Sequence, residues 1–192
     1  MQPLIDHARA YGRHPRDLAR LAEGQSPQVL FITCSDSRVV PALITGARPG
    51  DLFELRTAGN IVPPYASERP TGEAATIEYA VEVLGVTDVV VCGHSHCGAV
   101  GALVRGDDLT GVPAVRDWLA HTTPRPRGGA EDPAVAEGVQ SHVLTQLLRL
   151  RSYPCLEQRL ADGRLTLHAW YYEVHTGAVL AHRAGTDTFE AL

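Results

Sequence analysis

Apolar residues fall into two kinds of run along this chain. Unbroken stretches rich in branched residues stand at 29–34 (V-L-F-I-T-C) and 88–92 (D-V-V-V-C), and a third, L-F-E-L-R-T, follows the turn Pro49-Gly50. Runs this short and this apolar predict buried strands. Between them the spacing becomes helical. Over 71–84, Ile77, Ala80, Val81 and Leu84 share one face, and Gly85 stops the helix. Asp132-Pro133 predicts a second long helix, a cap followed by proline at the first position. It runs to about residue 151, with Val139, Val143, Leu147 and Leu150 near one stripe.

Shorter elements fill the remainder. Residues 5–22 read as helix in two pieces broken near Gly12 and Pro15, the second stopping at Gly24 and packing on the core or on another subunit. V-V-P-A-L-I-T-G is a short helix ended by Gly46, 98–105 is another, and 154–161 a third that ends before Gly163. Residues 123–132, rich in Pro, Gly and charge, read as a surface loop. Residues 165–174 read as a strand, Thr176-Gly177 as a hairpin turn, and 178–182 as its partner. Strands alternating with helices predict a single α/β domain over 1–192. Its central, mostly parallel β-sheet is flanked by helices and ends in a C-terminal hairpin, with residues 1–24 as a helical arm.

Composition narrows the function. A length of 192 residues suits one full core. The net charge of −5 leaves no basic footprint for nucleic acid or for an anionic membrane surface. No apolar run approaches the ~20 residues that span a bilayer, and the first ten residues lack the apolar core of a secretion signal. The expectation is a cytoplasmic protein with reduced cysteines. Of its four cysteines, Cys92 and Cys155 read as plain thiols.

The other two change the picture. Cys34 ends the first strand, and Gly93-His94-Ser95-His96-Cys97-Gly98 ends the run at 88–92. Open α/β sheets keep their ligands at carboxyl strand ends. If the strands are neighbours, Cys34, His94 and Cys97 converge. Thiolate and imidazole are the donors zinc prefers, and three protein ligands leave a fourth position open, as in catalytic sites. Asp36 and Arg38 sit within four residues of Cys34. The carboxylate could be a fourth ligand, a general base or an acceptor for bound water, and the guanidinium would keep it ionised.

C-S-D-S-R at 34–38, R-T-A-G-N at 56–60, I-E-Y-A at 77–80 and G-H-S-H-C-G-A at 93–99 together resemble the β-class carbonic anhydrases, in matching order over about 25–103. Trp170-Tyr171-Tyr172 in the final hairpin is compatible with it. The resemblance implies a zinc enzyme for CO2 + H2O ⇌ HCO3− + H+, acting through zinc-bound hydroxide, and a homodimer or dimer of dimers. By position, Cys34, His94 and Cys97 would hold Zn2+ and Asp36 and Arg38 would form the catalytic dyad. Gln25, Phe53, Ala58, Tyr79 and Gly98 would meet the substrate, Phe53 and Tyr79 being ordinary core positions on pattern alone. Two thiolates on the metal predict activity that rises on the alkaline side of neutrality.

The chain departs from the family in places. R-T-A-G-N replaces the frequent R-N-x-A-N, which implies a roomier pocket wall. His96, between two ligands, reads as a solvated loop histidine. Some bacterial relatives hold inhibitory bicarbonate with Trp, Arg and Tyr, and the matching positions here are Phe31, Arg56 and Tyr172, without the Trp. Two other readings fit the motifs less fully: a carbon disulfide or carbonyl sulfide hydrolase on the same scaffold, and a non-catalytic zinc-stabilised module.

Overall fold

A computed structural model describes residues 1–11, 19–122 and 136–192. Six strands form one sheet in the order β2-β1-β3-β4-β5-β6: β1 Val29–Cys34, β2 Leu52–Thr57, β3 Asp88–His94, β4 Thr166–Tyr172, β5 Val179–Arg183 and β6 Thr188–Ala191. The first four are parallel, and β5 and β6 return antiparallel. The α/β architecture with its mostly parallel sheet and C-terminal hairpin is thus the one the hydrophobic pattern predicts.

The branched runs form the middle of the sheet. β1 and β3 are direct neighbours, registered from Val29 opposite Asp88 to Thr33 opposite Cys92. All but the first residue of each is buried, as a strand covered on both faces requires. On one face Leu30, Ile32, Val89 and Val91 pack with Ile77, Val81, Val139 and Val143. On the other, Phe31, Val90 and Cys92 form a smaller cluster with Trp170 against them. Thr33, the one polar residue inside β1, donates its hydroxyl to Cys92 O at 2.9 Å. That bond ties the two central strands together one residue before the site.

Helices α3 (Gly72–Glu78) and α6 (Ala136–Leu150) carry the predicted apolar stripes. Thr71 caps α3 by accepting from Ala74 N–H. The helix predicted over 71–84 changes register before its end: Tyr79–Val83 forms a π-turn, closed by Leu84 N–H on Tyr79 O, and Gly85 then takes φ +70°. Helices α2 (Pro41–Thr45), α4 (Gly98–Arg105) and α7 (Pro154–Ala161) stand where glycine and proline punctuation puts them.

Other expectations meet differences. α1 (Gln2–Tyr11) is helical and buries no residue. Of the second helical piece, the described part, Ala19–Glu23, is a single 3-10 turn with Leu21 exposed. So short a segment with little burial does not offset the cost of nucleating a longer helix. Helix α5 (Pro113–Leu119) and strand β6 have no counterpart in the sequence reading. The helix break at Gly12 and Pro15, the loop at 123–132 and the helix start at Asp132-Pro133 lie outside the described residues.

α6 approaches the sheet most closely at Gly93. A Cβ there would stand 2.6 Å from both Val139 Cγ1 and Val143 Cγ2. Valine in a helix has one strongly preferred rotamer, so neither methyl can swing aside. Gly93→Ala should therefore lower stability by about 1–3 kcal/mol, read as a fall in the denaturation midpoint. An unchanged midpoint would show that α6 has room to move.

Candidate metal centre

The parallel register delivers the candidate ligands. Cys34 is the last residue of β1 and His94 the last of β3. Ser95, His96 and Cys97 turn into α4, with Cys97 at its N-cap. His96 makes that turn in the left-handed region at φ +56°, a conformation costly for a side-chain-bearing residue. Ser95 anchors the loop to the end of β4: its N–H donates to Tyr172 O at 2.9 Å and its Oγ accepts from Val174 N–H at 3.0 Å. The donor atoms of Cys34, His94 and Cys97 all lie within 4.8 Å of one another, and all three residues are buried.

The local chemistry fits a metal ion. His94 Nδ1 is 2.9 Å from Ser95 O, a carbonyl that can only accept, so Nδ1 carries the ring proton. That leaves the lone pair on Nε2, a fully buried atom with no hydrogen-bond partner among the described residues. An imidazole oriented by a carbonyl, with its free nitrogen facing two sulfurs, is arranged as a ligand. Cys34 is pushed down to about 4, chiefly by Cys97 donating to it and further by the Gly59 N–H, with burial acting the other way. The same contact, with burial, pushes Cys97 up. Each sulfur binds a metal as the thiolate, so metal binding displaces whatever proton the pair holds. The N–H groups of Ala99 and Val100, in the first turn of α4, act on Cys97 in the opposite sense and favour its thiolate.

Asp36 and Arg38 form a two-pronged pair beside this set. Arg38 Nε donates to Asp36 Oδ1 at 2.9 Å and Nη2 to Oδ2 at 2.7 Å, and the Arg38 backbone N–H adds a bond to Oδ1 at 2.9 Å. Arg38, first through these side-chain bonds, holds the Asp36 carboxyl well below the usual carboxylate range. Asp36 Oδ2 lies 3.8 Å from His94 Nε2. Arg38 Nη2 also donates to His96 O at 3.1 Å, so one guanidinium spans the loops after β1 and β3.

The loop holding the dyad is pinned from behind by Arg56, a role the sequence did not suggest. Its guanidinium donates to the carbonyls of Cys34, Asp36 and Val39 at 2.7–3.2 Å. Cys92 is fully buried, and its thiol is pushed up to about 12 by that burial, which keeps it inert. Burial pushes Cys155 to about 11.

The remaining predicted residues lie on β2 (Phe53), the turn after it (Ala58), the end of α3 (Tyr79), α4 (Gly98) and the segment before β1 (Gln25). Phe53 and Tyr79 bring their rings to 6.0 Å across the β2–α3 junction, with Tyr79 still 44% exposed. Ala58 begins a 3-10 turn, Ala58–Asn60, and the next N–H, that of Gly59, donates to Cys34 Sγ at 3.3 Å. Gly98 follows Cys97 as the first residue of α4, with open space where a side chain would be. Gln25 is exposed in the segment before β1.

Comparison with known proteins agrees with this centre. Residues 29–179 match the carbonic anhydrase family. The chain is 44% identical over 189 residues to a carbonic anhydrase of Pseudomonas aeruginosa, covering 95% of this chain and 86% of that protein. It is 44% identical over 204 residues to a carbonic anhydrase of Synechocystis sp., covering 100% of this chain and 74% of that one. Among solved structures it superposes on the β-carbonic anhydrase CcaA with a TM-score of 0.90 at 41% identity, covering 100% of this chain and 99% of the other. A tetrameric β-carbonic anhydrase from Sordaria macrospora matches with a TM-score of 0.74 at 28% identity, over 94% and 92% of the two chains. With the family's Cys-His-Cys zinc donors gathered at the strand ends, the chain belongs to the β-class carbonic anhydrases, the zinc enzymes that hydrate carbon dioxide.

Proposed function

We propose that Cys34, His94 and Cys97 hold the zinc ion for this reaction and that Asp36 and Arg38 are its catalytic dyad. The observation that carries the assignment is the orphaned His94 Nε2, buried and facing the two cysteine sulfurs with the Asp36 carboxylate 3.8 Å away. Zinc, when bound, supplies a Lewis acid that makes water a nucleophile near neutral pH.

The chain's own groups do the rest. Asp36, ionised and with both oxygens fixed by Arg38, accepts the hydrogen of the attacking water and so aims its lone pair at carbon dioxide. Arg38 keeps that carboxylate from turning toward the ligands. Phe53, Tyr79 and Ala58 offer apolar surface to a small substrate without charge, and the Gly98 N–H and Gln25 amide offer donors to the bicarbonate that forms.

Two broader readings accompany this one. Residues 1–192 form a single domain with 1–24 as an arm, supported by one continuous sheet and by a first helix that buries nothing. The chain works as a homodimer or dimer of dimers in the cytoplasm. Exposed Leu4, Leu43, Tyr79 and Val83 support association, as does the tetrameric Sordaria relative. Among the described residues no helix is long and apolar enough to cross a membrane.

The test is stopped-flow CO2 hydration at alkaline pH on purified protein, with zinc measured on the same sample and carbon disulfide and carbonyl sulfide run as competing substrates. Fast hydration in proportion to zinc is expected. Full zinc with no hydration, or turnover of the sulfur compounds alone, would remove the assignment.

A further inference from the structure

We propose that Trp118 and His142 are positioning residues that aim the Gly59 N–H at the sulfur of Cys34. The inference rests on Cys34 being a zinc ligand. Its starting point is the turn Ala58–Asn60, where Gly59 (φ +74°) and Asn60 (φ +46°) are both left-handed. Two such residues in succession persist only when their surroundings hold them. At Gly59 a side chain is disfavoured twice over, by its φ and by Ala99 Cβ 3.2 Å from where a Cβ would stand.

The turn is held by two side chains from distant elements. Trp118 Nε1–H donates to Ala58 O at 2.9 Å. That carbonyl belongs to the same peptide unit as the Gly59 N–H, which donates to Cys34 Sγ at 3.3 Å. The indole therefore fixes the plane of the donating amide and, by polarising it, strengthens its N–H as a donor. His142 Nε2 lies 2.7 Å from Gly59 O. A carbonyl can only accept, so Nε2 carries the proton and Nδ1 accepts, 3.3 Å from the Thr122 hydroxyl. Thr122 Oγ1 in turn accepts from Gln146 Nε2 at 3.1 Å, and Gln146 Oε1 accepts from Val62 N–H at 2.9 Å.

Every link in this chain runs toward Gly59. His142, Gln146 and Thr122 are all buried, an expense that an apolar face does not require for packing. Trp118 and Thr122 come from one turn at the end of α5, and His142 and Gln146 from successive turns of α6. Two side chains thus hold a three-residue turn, one of them backed by Thr122 and Gln146, and the turn meets the metal centre through the Gly59 N–H. Groups that orient a ligand from behind in this way set metal affinity.

The experiment uses the full chain with Trp118→Phe, which keeps the ring and removes the donor, His142→Phe, and His142→Gln, which restores a donor. Zinc affinity is read by competition with a chromophoric chelator. The sulfur-to-metal charge-transfer band is read on the cobalt(II)-loaded protein, and the denaturation midpoint on the metal-free protein. Trp118→Phe and His142→Phe should each weaken zinc binding by about 10–100-fold and shift the band, with His142→Gln recovering part of both. Should His142→Phe fail to fold, Trp118→Phe decides the matter. Wild-type affinity with an unmoved band would overturn the proposal, as would weaker binding that only follows a lowered metal-free midpoint. Cys34→Ser, run alongside, must lose zinc; if it does not, the fault lies in the ligand assignment, and the proposal falls with it.

Discussion

Replacing Arg38 with alanine should slow CO2 hydration by about 10²–10⁴-fold while leaving zinc content at the wild-type level. The hydrogen bonds of Arg38 go to Asp36 and to His96 O rather than to a ligand side chain, so zinc should stay bound. What is lost is the fork on Asp36, two side-chain bonds of 2.9 and 2.7 Å, and the bond to His96 O at 3.1 Å. Asp36 Oδ2 already lies 3.8 Å from His94 Nε2. Released from the guanidinium, the carboxylate is free to occupy the position that water and substrate need. Asp36→Asn should fall into the same range for a different reason, because a neutral amide of the same shape presents one acceptor where the carboxylate presents two. Since Arg38 holds Asp36 far below the usual carboxylate range, the activity of the wild-type enzyme should not titrate with Asp36 anywhere near neutrality. Stopped-flow rates with zinc determined on each sample check all of this. A near-normal rate in either variant removes the dyad from the mechanism.

Cys34→Ser and His94→Ala should each lose most of their zinc and, with it, nearly all of the rate enhancement, which for enzymes in general is about 10⁶-fold or more. Serine keeps the shape of Cys34 without its thiolate. Alanine at 94 removes a buried ring nitrogen that has no hydrogen-bond partner among the described residues. Stripping the wild-type protein with a chelator should reproduce the same loss, and added zinc should restore the wild type but neither variant. Cys155→Ser, at a thiol outside the cluster, should keep zinc and rate, so the loss cannot be assigned to cysteine content in general. A Cys34→Ser protein with full zinc and ordinary turnover would mean that the metal sits elsewhere.

The elements that carry the site were legible because their signals are local. V-L-F-I-T-C and D-V-V-V-C are buried on both faces, so their apolar runs are unbroken, and glycine or proline marks the ends of α2, α4 and α7. What escaped was long-range or lacked an apolar stripe. In P-A-V-R-D-W-L of α5 only Leu119 is buried, and β6 is four residues with none buried. The π-turn at Tyr79–Val83 adds one residue to a helical turn, which periodicity over so few residues cannot detect. Trp118 meets Ala58 across 60 residues and His142 meets Gly59 across 83, with nothing in the neighbouring sequence to announce either bond. One hint was available: His142 and Gln146 interrupt the apolar stripe of α6, and buried polar residues in such a place have partners.

The division of the ligands between two parallel strands has a consequence for how the protein is made. Cys34 leaves β1 and His94 leaves β3, and the bond from Thr33 to Cys92 that joins those strands closes a loop of 59 residues containing β2 and α3. Parallel pairing across so long a crossover is a late and slow event in folding. Until it happens only His94 and Cys97 of this donor set are held together, as residues of one loop. The site thus differs from that of a small zinc finger, whose ligands lie close together in sequence. The complete donor set is therefore itself a product of the β1–β3 pairing.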